Sequence, residues 1–154
     1  MQNRNIFFIL IIIIFFAAGF FLIKNNFSKN LEINEIQYVK IAGVTLKINL
    51  ALTPEAQEQG LSGRKELKED ESMLFVFNHT GKYSFWMKDM NFPIDIIWIG
   101  EDFRVVYIKE NALPTSYPET YSPDGTSKYV LEVFSSFSGK NNLKVGDKVE
   151  FLSS

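Results

Sequence analysis

One uninterrupted apolar run near the amino terminus constrains the fold of this chain more than any other feature. From Ile6 to Ile23 every one of the 18 residues is apolar or glycine, without charge or proline. A helix of this length, rising about 1.5 Å per residue, crosses the hydrocarbon core of a bilayer and satisfies its own backbone hydrogen bonds. We therefore expect an amino-terminal tail over residues 1–5 and a transmembrane anchor over residues 6–23.

A cleaved signal peptide is the competing interpretation of this run. Such a peptide has an apolar region of about 7–15 residues followed by a small-x-small cleavage site. Here the small residues Ala17, Ala18 and Gly19 are followed by four more apolar residues, and the chain has no cysteine for lipid attachment. An uncleaved anchor is the preferred prediction.

The charges around the run give little orientation, because Arg4 precedes it while Lys24 and Lys29 follow it. A short tail ahead of a first apolar segment usually stays inside. We therefore expect a membrane-anchored protein whose carboxyl-terminal domain lies outside the cytoplasm.

The sequence after the anchor predicts a short polar tether over residues 24–35 and a β domain over residues 36–154. Val44–Leu50 alternates apolar and polar residues strictly, as a half-buried strand requires, and pairs with Ile36–Ile41 as a predicted hairpin. Further strands are predicted over residues 73–77, 83–87, 95–99, 103–109, 128–134 and 148–152. The predicted fold is mainly β, a single β-sandwich or barrel-like domain of about six to eight mostly antiparallel strands.

A single short helix is predicted over Pro54–Leu61. Thr53 is a favourable N-cap, Pro54 suits the first helical position and Gly60 suits the end of the helix. We expect this helix to pack against one end of the β domain.

Composition excludes several classes of function. The absence of cysteine excludes disulfides and thiol catalysis, and a single histidine, His79, makes a zinc site improbable. An oxygen-ligand calcium site using Asp95, Asp124 and Glu132 stays open, but the acid spacing of an EF-hand is missing, so no metal or cofactor is predicted.

After Ile23 the chain carries 15 basic and 18 acidic residues. This balance argues against nucleic acid as a partner.

The stretch from Ser84 to Ile99 is the candidate binding region. Two strand-like pieces flank a proline turn, which would hold Trp86, Lys88 and Asp95 at strand ends beside an exposed loop. We predict that these three side chains converge on one surface depression, with Arg64 and Glu132 as the next candidates. The alternative is that Lys88 and the acids are solvated turn residues.

The proline-containing loop from Asn111 to Ser127 is unusually long for a compact domain, and loops of this length often cover a site. Its residues Tyr117 and Tyr121 suit stacking on a ligand, or equally anchoring of the loop to the core.

Asp95 and Glu132 also raise the alternative of a catalytic carboxylate pair. Glu132 lies within an apolar strand pattern, where burial would raise its pKa. The preferred interpretation pairs Glu132 with a Lys or Arg across the sheet, because buried charges are usually paired. A glycosidase pair would stand about 5–10 Å apart across an open cleft.

Six motifs occur in the order of a known family: Gly60-Leu61-Ser62-Gly63-Arg64, Met73-Leu74-Phe75-Val76-Phe77, Phe85-Trp86-Met87-Lys88, Pro93-Ile94-Asp95-Ile96-Ile97, Tyr129-Val130-Leu131-Glu132-Val133 and Gly146-Asp147. In this respect the chain resembles the DUF192 family, also called UPF0127. The resemblance implies a mainly β domain, commonly exported behind an amino-terminal signal or anchor, with no established biochemical activity. Ser62 stands where the family usually has methionine, and Asp89-Met90 where it usually has Asn-Thr.

These features favour a binding or structural module at the cell envelope that engages a small molecule, glycan or protein through the face around Trp86. No nucleophile motif is recognisable, which argues against an enzyme. The alternative function is a carboxylate-based hydrolase acting on a cell-envelope glycan through Asp95 and Glu132.

Overall fold

The computed structural model of the protein describes residues 33–153. The predicted tail, the predicted anchor and most of the predicted tether lie outside the described residues. Within residues 33–153, no helix has the combination of length and apolar character needed to cross a membrane.

Strands make up most of the regular secondary structure of the described residues, so the mainly β prediction is confirmed. The strands are β1 Tyr38–Ile41, β2 Val44–Ala51, β3 Glu71–Gly81, β4 Phe85–Trp86, β5 Ile94–Ile99, β6 Val105–Ala112, β7 Thr120–Tyr121, β8 Ser127–Phe134 and β9 Val149–Leu152. Two short α-helices, α1 Pro54–Gln59 and α2 Phe137–Lys140, and two 3-10 turns, Ile33–Glu35 and Pro114–Ser116, complete the elements. The nine strands of the described residues exceed the predicted six to eight because the two-residue strand β7 forms within the segment predicted as a loop.

Seven of the strands form one curled sheet in the order β6-β5-β8-β3-β2-β1-β9, and β4 and β7 form a separate pair. The pairing is antiparallel except between β2 and β3, which run parallel because α1 lies between them in the chain. Backbone hydrogen bonds connect residues 103–105, at the start of β6, to residues 146–149, at the start of β9. The sheet therefore approaches a half-barrel, closer to the barrel-like form of the prediction than to a sandwich.

The helix α1 forms as its sequence predicts. The Thr53 Oγ1 accepts a hydrogen bond from the Ala56 amide at 3.2 Å, Pro54 opens the helix, and Gly60 ends it with a positive φ of 50°. The Gln57 side chain donates hydrogen bonds to the carbonyls of Ala51 and Val76 at 3.2 and 2.9 Å. This residue ties the helix to β2 and β3 and so positions one wall of the site.

Strand β8 lies in the middle of the sheet, between β5 and β3. Its residue Val130 packs in an apolar cluster on one face of the sheet; the other buried members of that cluster are Ala51, Leu61, Met73, Phe75, Met87, Ile94, Ile96, Trp98, Ala112 and Tyr121. Glu132 is two residues further along β8 and therefore faces the same cluster.

Candidate functional site

A cavity of about 200 Å³ opens beside α1, next to this apolar cluster. Its apolar lining consists of Leu61, Phe75, Phe77, Tyr83, Phe85, Trp86 and Met90. Its remaining lining residues are Gln57, Glu58, Gln59, Gly60, Ser62, Ser84 and Glu132. An aromatic-rich hollow with a few polar groups is the usual composition of a small-molecule site.

Glu132 is the unusual polar group of this cavity. Glu132 is only 5% exposed. Its register partners on the flanking strands are Met73 and Ile96, whose apolar side chains donate no hydrogen bond, so the predicted Lys or Arg partner across the sheet is not found at these positions. No protein group among the described residues hydrogen-bonds the Oε2 atom. Burial raises the pKa of the Glu132 carboxyl to about 8, although the positive charge of Arg64 acts in the opposite direction. The carboxyl is therefore mostly protonated at neutral pH.

Interlocking aromatic rings form the floor and one wall of the cavity. The Phe85 ring packs edge-on against Phe75 and Trp98, at centroid distances of 4.8 and 5.7 Å. Phe77 stacks on Tyr83, and the Trp98 Nε1 donates a hydrogen bond to the Tyr83 carbonyl at 2.8 Å. These contacts hold the segment around β4 against the sheet.

Three hydrogen bonds join the turn after α1 to the loop after β4. Ser62 Oγ donates to the Lys88 carbonyl at 2.8 Å, and the Gly63 amide donates to the Asp89 carbonyl at 2.9 Å. The Asn91 side chain donates to the carbonyl of Arg64 at 2.8 Å. The two walls of the cavity are thus preformed.

The residues that depart from the usual family motifs take part in this junction. Ser62 supplies one of the hydrogen bonds, and Asp89 has a left-handed φ of 54°, a conformation that Asp and Asn adopt more readily than most residues.

Trp86 and Lys88 lie together at the mouth of the cavity. Trp86 is 47% exposed, and the Lys88 Nζ lies 6.0 Å from the centroid of its ring. Both residues line a second, more open hollow, whose other lining residues are Glu55, Glu58, Gln59, Ser62, Gly63 and Asp89.

The long loop predicted from Asn111 to Ser127 reaches this mouth. Its strand β7 pairs with β4, and its Tyr117 packs edge-on against Trp86 at a centroid distance of 6.3 Å. Tyr121 is buried in the apolar cluster, so this second tyrosine anchors the loop.

Asp95 does not join the other candidates. It is fully buried, and its Oδ1 accepts hydrogen bonds from the Asn111 and Ser136 amides at 2.9 and 3.1 Å, while its Oδ2 accepts one from the Ser138 amide at 2.8 Å. It lines neither of the two hollows. The structure therefore brings Trp86, Lys88 and Glu132 to one region, with Arg64 beside them, but leaves Asp95 elsewhere.

The proposed carboxylate pair of Asp95 and Glu132 is not formed. In the register of β5 and β8, Glu132 is paired with Ile96, whereas Asp95 is paired with Val133. Because successive strand residues point to opposite faces, the two carboxyl groups project from opposite sides of the sheet. The structure also does not support a calcium site on Asp95 and Glu132, because backbone amides already donate hydrogen bonds to both Asp95 oxygens. Among the described residues, no cluster of His, Cys, Asp or Glu suits a metal ion.

Several lining residues were not singled out from the sequence. Phe77, Tyr83 and Glu58 lie on three different elements or connections, and nothing in their local spacing brings them together. The sequence contains one weak indication of this lining. Phe75 and Phe77 are two residues apart along β3 and therefore lie on the same face of the strand.

The described residues thus define a curled, mainly β domain with a buried carboxyl group beside an aromatic cavity. The chain belongs to the DUF192 family, described as "Uncharacterized ACR", whose model matches residues 37–151. No functionally curated protein matches the chain.

Two crystal structures are among those similar to the chain. One is a protein of unknown function from Novosphingobium aromaticivorans DSM 12444, with 34% identity and a TM-score of 0.70 over 75% of this chain and 84% of that chain. The other is a protein from Sinorhizobium meliloti 1021 provisionally described as a transcription regulator, with 32% identity and a TM-score of 0.69 over 74% of this chain and 92% of that one.

Most of each of these two crystallised chains corresponds to the domain described here. Their matched regions make up 84% and 92% of the crystallised chains. In the present chain, Ile33–Ser154 forms a compact unit by itself. A fragment of residues 33–154 therefore contains the whole of this unit.

Proposed function

We propose that the chain is a binding protein whose β domain holds a small organic ligand in the cavity between Glu132 and Trp86. The observation that carries the proposal is the buried Glu132 Oε2, which has no protein partner and lies at the cavity wall. Leaving a buried polar atom unpaired costs about 1–3 kcal/mol. A ligand that pairs with this atom recovers that cost on binding, which makes the cavity a favourable place to bind one.

Binding is favoured over hydrolysis by the arrangement of the acids. The hydrolase alternative relied on Asp95 and Glu132 as an acid and base acting on a cell-envelope glycan. Those two carboxyl groups lie on opposite faces of the sheet, and Asp95 is occupied by three amides. The aromatic cavity by itself supports the binding of a ligand and not the catalysis of a reaction.

A role in binding nucleic acid is not part of the proposal. The description of the Sinorhizobium protein as a transcription regulator applies to that protein. In the present chain the 18 acidic residues after Ile23 outnumber the 15 basic ones. A nucleic-acid surface needs a concentrated basic face.

The most direct test is ligand identification with the fragment of residues 33–154. Native mass spectrometry of the protein purified from its source, followed by a fragment screen monitored by thermal shift, should give ligands that stabilise it. Trp86→Ala should weaken binding of these ligands at least about tenfold, because the indole borders the cavity. Tyr38→Ala, which removes an exposed aromatic residue from β1, serves as the control. Equal binding by the wild type and Trp86→Ala would contradict the proposed location.

We further propose that residues 6–23 anchor this domain at the membrane, with the domain outside the cytoplasm as part of the cell envelope. The apolar run supports the anchor, and a reporter fusion tests the orientation. Alkaline phosphatase fused after Ser154 should be active. An inactive phosphatase together with a fluorescent cytoplasmic reporter at the same position would reverse the orientation.

A further inference from the structure

We propose that the ligand of this cavity is a small organic cation, with an amidinium, guanidinium or ammonium group carried on an apolar body. This inference rests on the proposed function and specifies the chemistry of its ligand. It is based on the charge of the lining residues, the aromatic rings and the position of Glu132.

The lining of the cavity is acidic. Glu58 and Glu132 are its ionisable acids, and none of the described lining residues is a lysine, arginine or histidine. The hollow outside the mouth adds Glu55 and Asp89, opposed by Lys88 alone. Such a surface attracts cations toward the mouth and disfavours anions.

The aromatic rings favour the same class of ligand. Five aromatic side chains line the cavity: Phe75, Phe77, Tyr83, Phe85 and Trp86. A cation within about 6 Å of a ring centroid is attracted by the negative face of the ring, and this attraction increases when water is excluded. The apolar body of the ligand would contact the same rings.

Glu132 provides the anchoring group. An ammonium or amidinium that leaves water needs an acceptor for its N–H groups, and the free Oε2 is a buried acceptor at the cavity wall. A charge-assisted hydrogen bond to a carboxylate is the strong form of this contact.

Arg64 is the main argument for a different ligand. Its charge reaches Glu132 electrostatically, but it forms no ion pair within 4.0 Å among the described residues and does not line the cavity. An anionic ligand held by Arg64 and a protonated Glu132 is therefore the competing chemistry, and the experiment is designed to reveal it.

Cation binding is linked to ionisation of Glu132. Burial holds the pKa of this carboxyl at about 8, so below that pH the cation must displace a proton. Affinity for a permanently charged cation should increase up to about tenfold per pH unit from pH 6 to 8 and level off above pH 8. The other titratable or charged groups of this region are Glu58 on the helix side, Tyr83 on the β4 side and Arg64 beyond the helix, with Glu55, Lys88 and Asp89 outside the mouth.

Three isosteric probes separate charge from shape: benzamidinium, neutral benzamide and anionic benzoate. A single ring suits a cavity of about 200 Å³, since an apolar cavity of about 150 Å³ accommodates benzene. Binding to residues 33–154 is measured by calorimetry and by amide chemical shifts between pH 6 and pH 9. We expect benzamidinium to bind at least about tenfold more tightly than benzamide at pH 8, benzoate to bind weakest, and benzamidinium to release a proton below pH 8.

Two matched variants test whether Glu132 is the residue responsible for cation binding and for its pH dependence. Glu132→Gln keeps the size of the side chain and should reduce benzamidinium affinity to that of benzamide and abolish the pH dependence. Glu58→Gln removes the other acid of the same cavity and should retain the pH dependence. Thermal melts establish that both variants are folded.

The outcomes distinguish the inference from the function on which it rests. Preferential binding of benzoate, or an unchanged order of affinities in Glu132→Gln, would overturn the cationic ligand but leave a small-molecule site in place. Hits from the fragment screen that are all neutral or anionic would have the same meaning. Failure of every probe and every fragment to shift the cavity resonances would overturn the inference and the proposed function together.

Discussion

Two buried carboxyl groups, Glu132 and Asp95, have opposite relations to their surroundings. Glu132 lies among apolar side chains and leaves one oxygen without a protein partner, whereas Asp95 accepts three backbone hydrogen bonds. Two of the residues whose amides bond Asp95, Asn111 and Ser136, have left-handed φ angles of 47° and 71°. Asp95 therefore holds two strained turns, while Glu132 is available to a ligand.

The raised pKa of Glu132 makes stability depend on pH. Its folded-state pKa of about 8 lies above the ordinary value of 4.5, so the folded state binds the extra proton between these values. The stability that depends on Glu132 is fully present below pH 4.5. It decreases as the pH rises toward 8, and above pH 8 it decreases no further. Glu132→Gln removes this loss. The free energy of unfolding of the variant minus that of the wild type should therefore be about 3–5 kcal/mol larger at pH 9 than at pH 4.5. Urea denaturation across this range measures the effect, and parallel curves for the two proteins would contradict it.

Asp95→Ala should destabilise the domain by about 1–3 kcal/mol, because it leaves three backbone amides, one of them at buried Ser138, without their acceptor. Lys88→Ala, at the exposed mouth, should change stability by less than about 1 kcal/mol. Chemical denaturation of both variants provides the comparison. If Asp95→Ala were as stable as Lys88→Ala, the structural role assigned to Asp95 would be wrong.

At the level of elements, the site depends on how α1 and the loop after β4 are held to the sheet. Gln57 bonds the helix to β2 and β3, and Ser62, Gly63 and Asn91 join the two walls. The helix itself has only six residues and no buried residue. Its position therefore comes from these contacts and not from the intrinsic stability of a helix this short.

Gly60 is the most sensitive position of this arrangement. It has a positive φ, and an added Cβ would lie 3.4 Å from the Phe75 ring on the cavity floor. Gly60→Ala should cost about 1–2 kcal/mol through backbone strain and should weaken ligand binding by displacing the ring. Gly125→Ala is the matched control, since an added Cβ there meets nothing within 4 Å. Equal thermal stability of the two variants would argue against strain at Gly60.

At the scale of the whole molecule, the described residues contain both the sheet and the apolar clusters that a folded domain needs. The sheet runs from β6 to β9 with both of its edges meeting at one end, and its apolar clusters form within residues 33–153. Removal of residues 1–32 should therefore leave a β-rich circular dichroism spectrum and one cooperative thermal transition. A spectrum dominated by helix, or loss of the transition in the fragment, would contradict an independent domain.

Local sequence patterns determined a large part of this structure. The alternation of Val44–Leu50 predicted β2, and Thr53 with Pro54 predicted the start of α1, because strand periodicity and helix capping depend on residues close in the chain. The six ordered motifs correctly indicated the DUF192 family. The strand predicted over residues 73–77 is confirmed as part of β3, in which Met73–Val76 are buried and Phe77 is half-buried.

Only the tertiary structure decided which of the candidate residues share a surface. Asp95 and Glu132 both lie in strongly apolar strands, and their separation depends on a register that pairs Ile96, not Asp95, with Glu132. The pairing of β4 with β7 likewise joins residues more than thirty positions apart. Such long-range pairings carry no local periodicity, and a shift of one residue in register exchanges the two faces of a strand. For that reason the sequence indicated only that Glu132 could be partly buried within an apolar strand, and the cavity beside it emerged only from the fold.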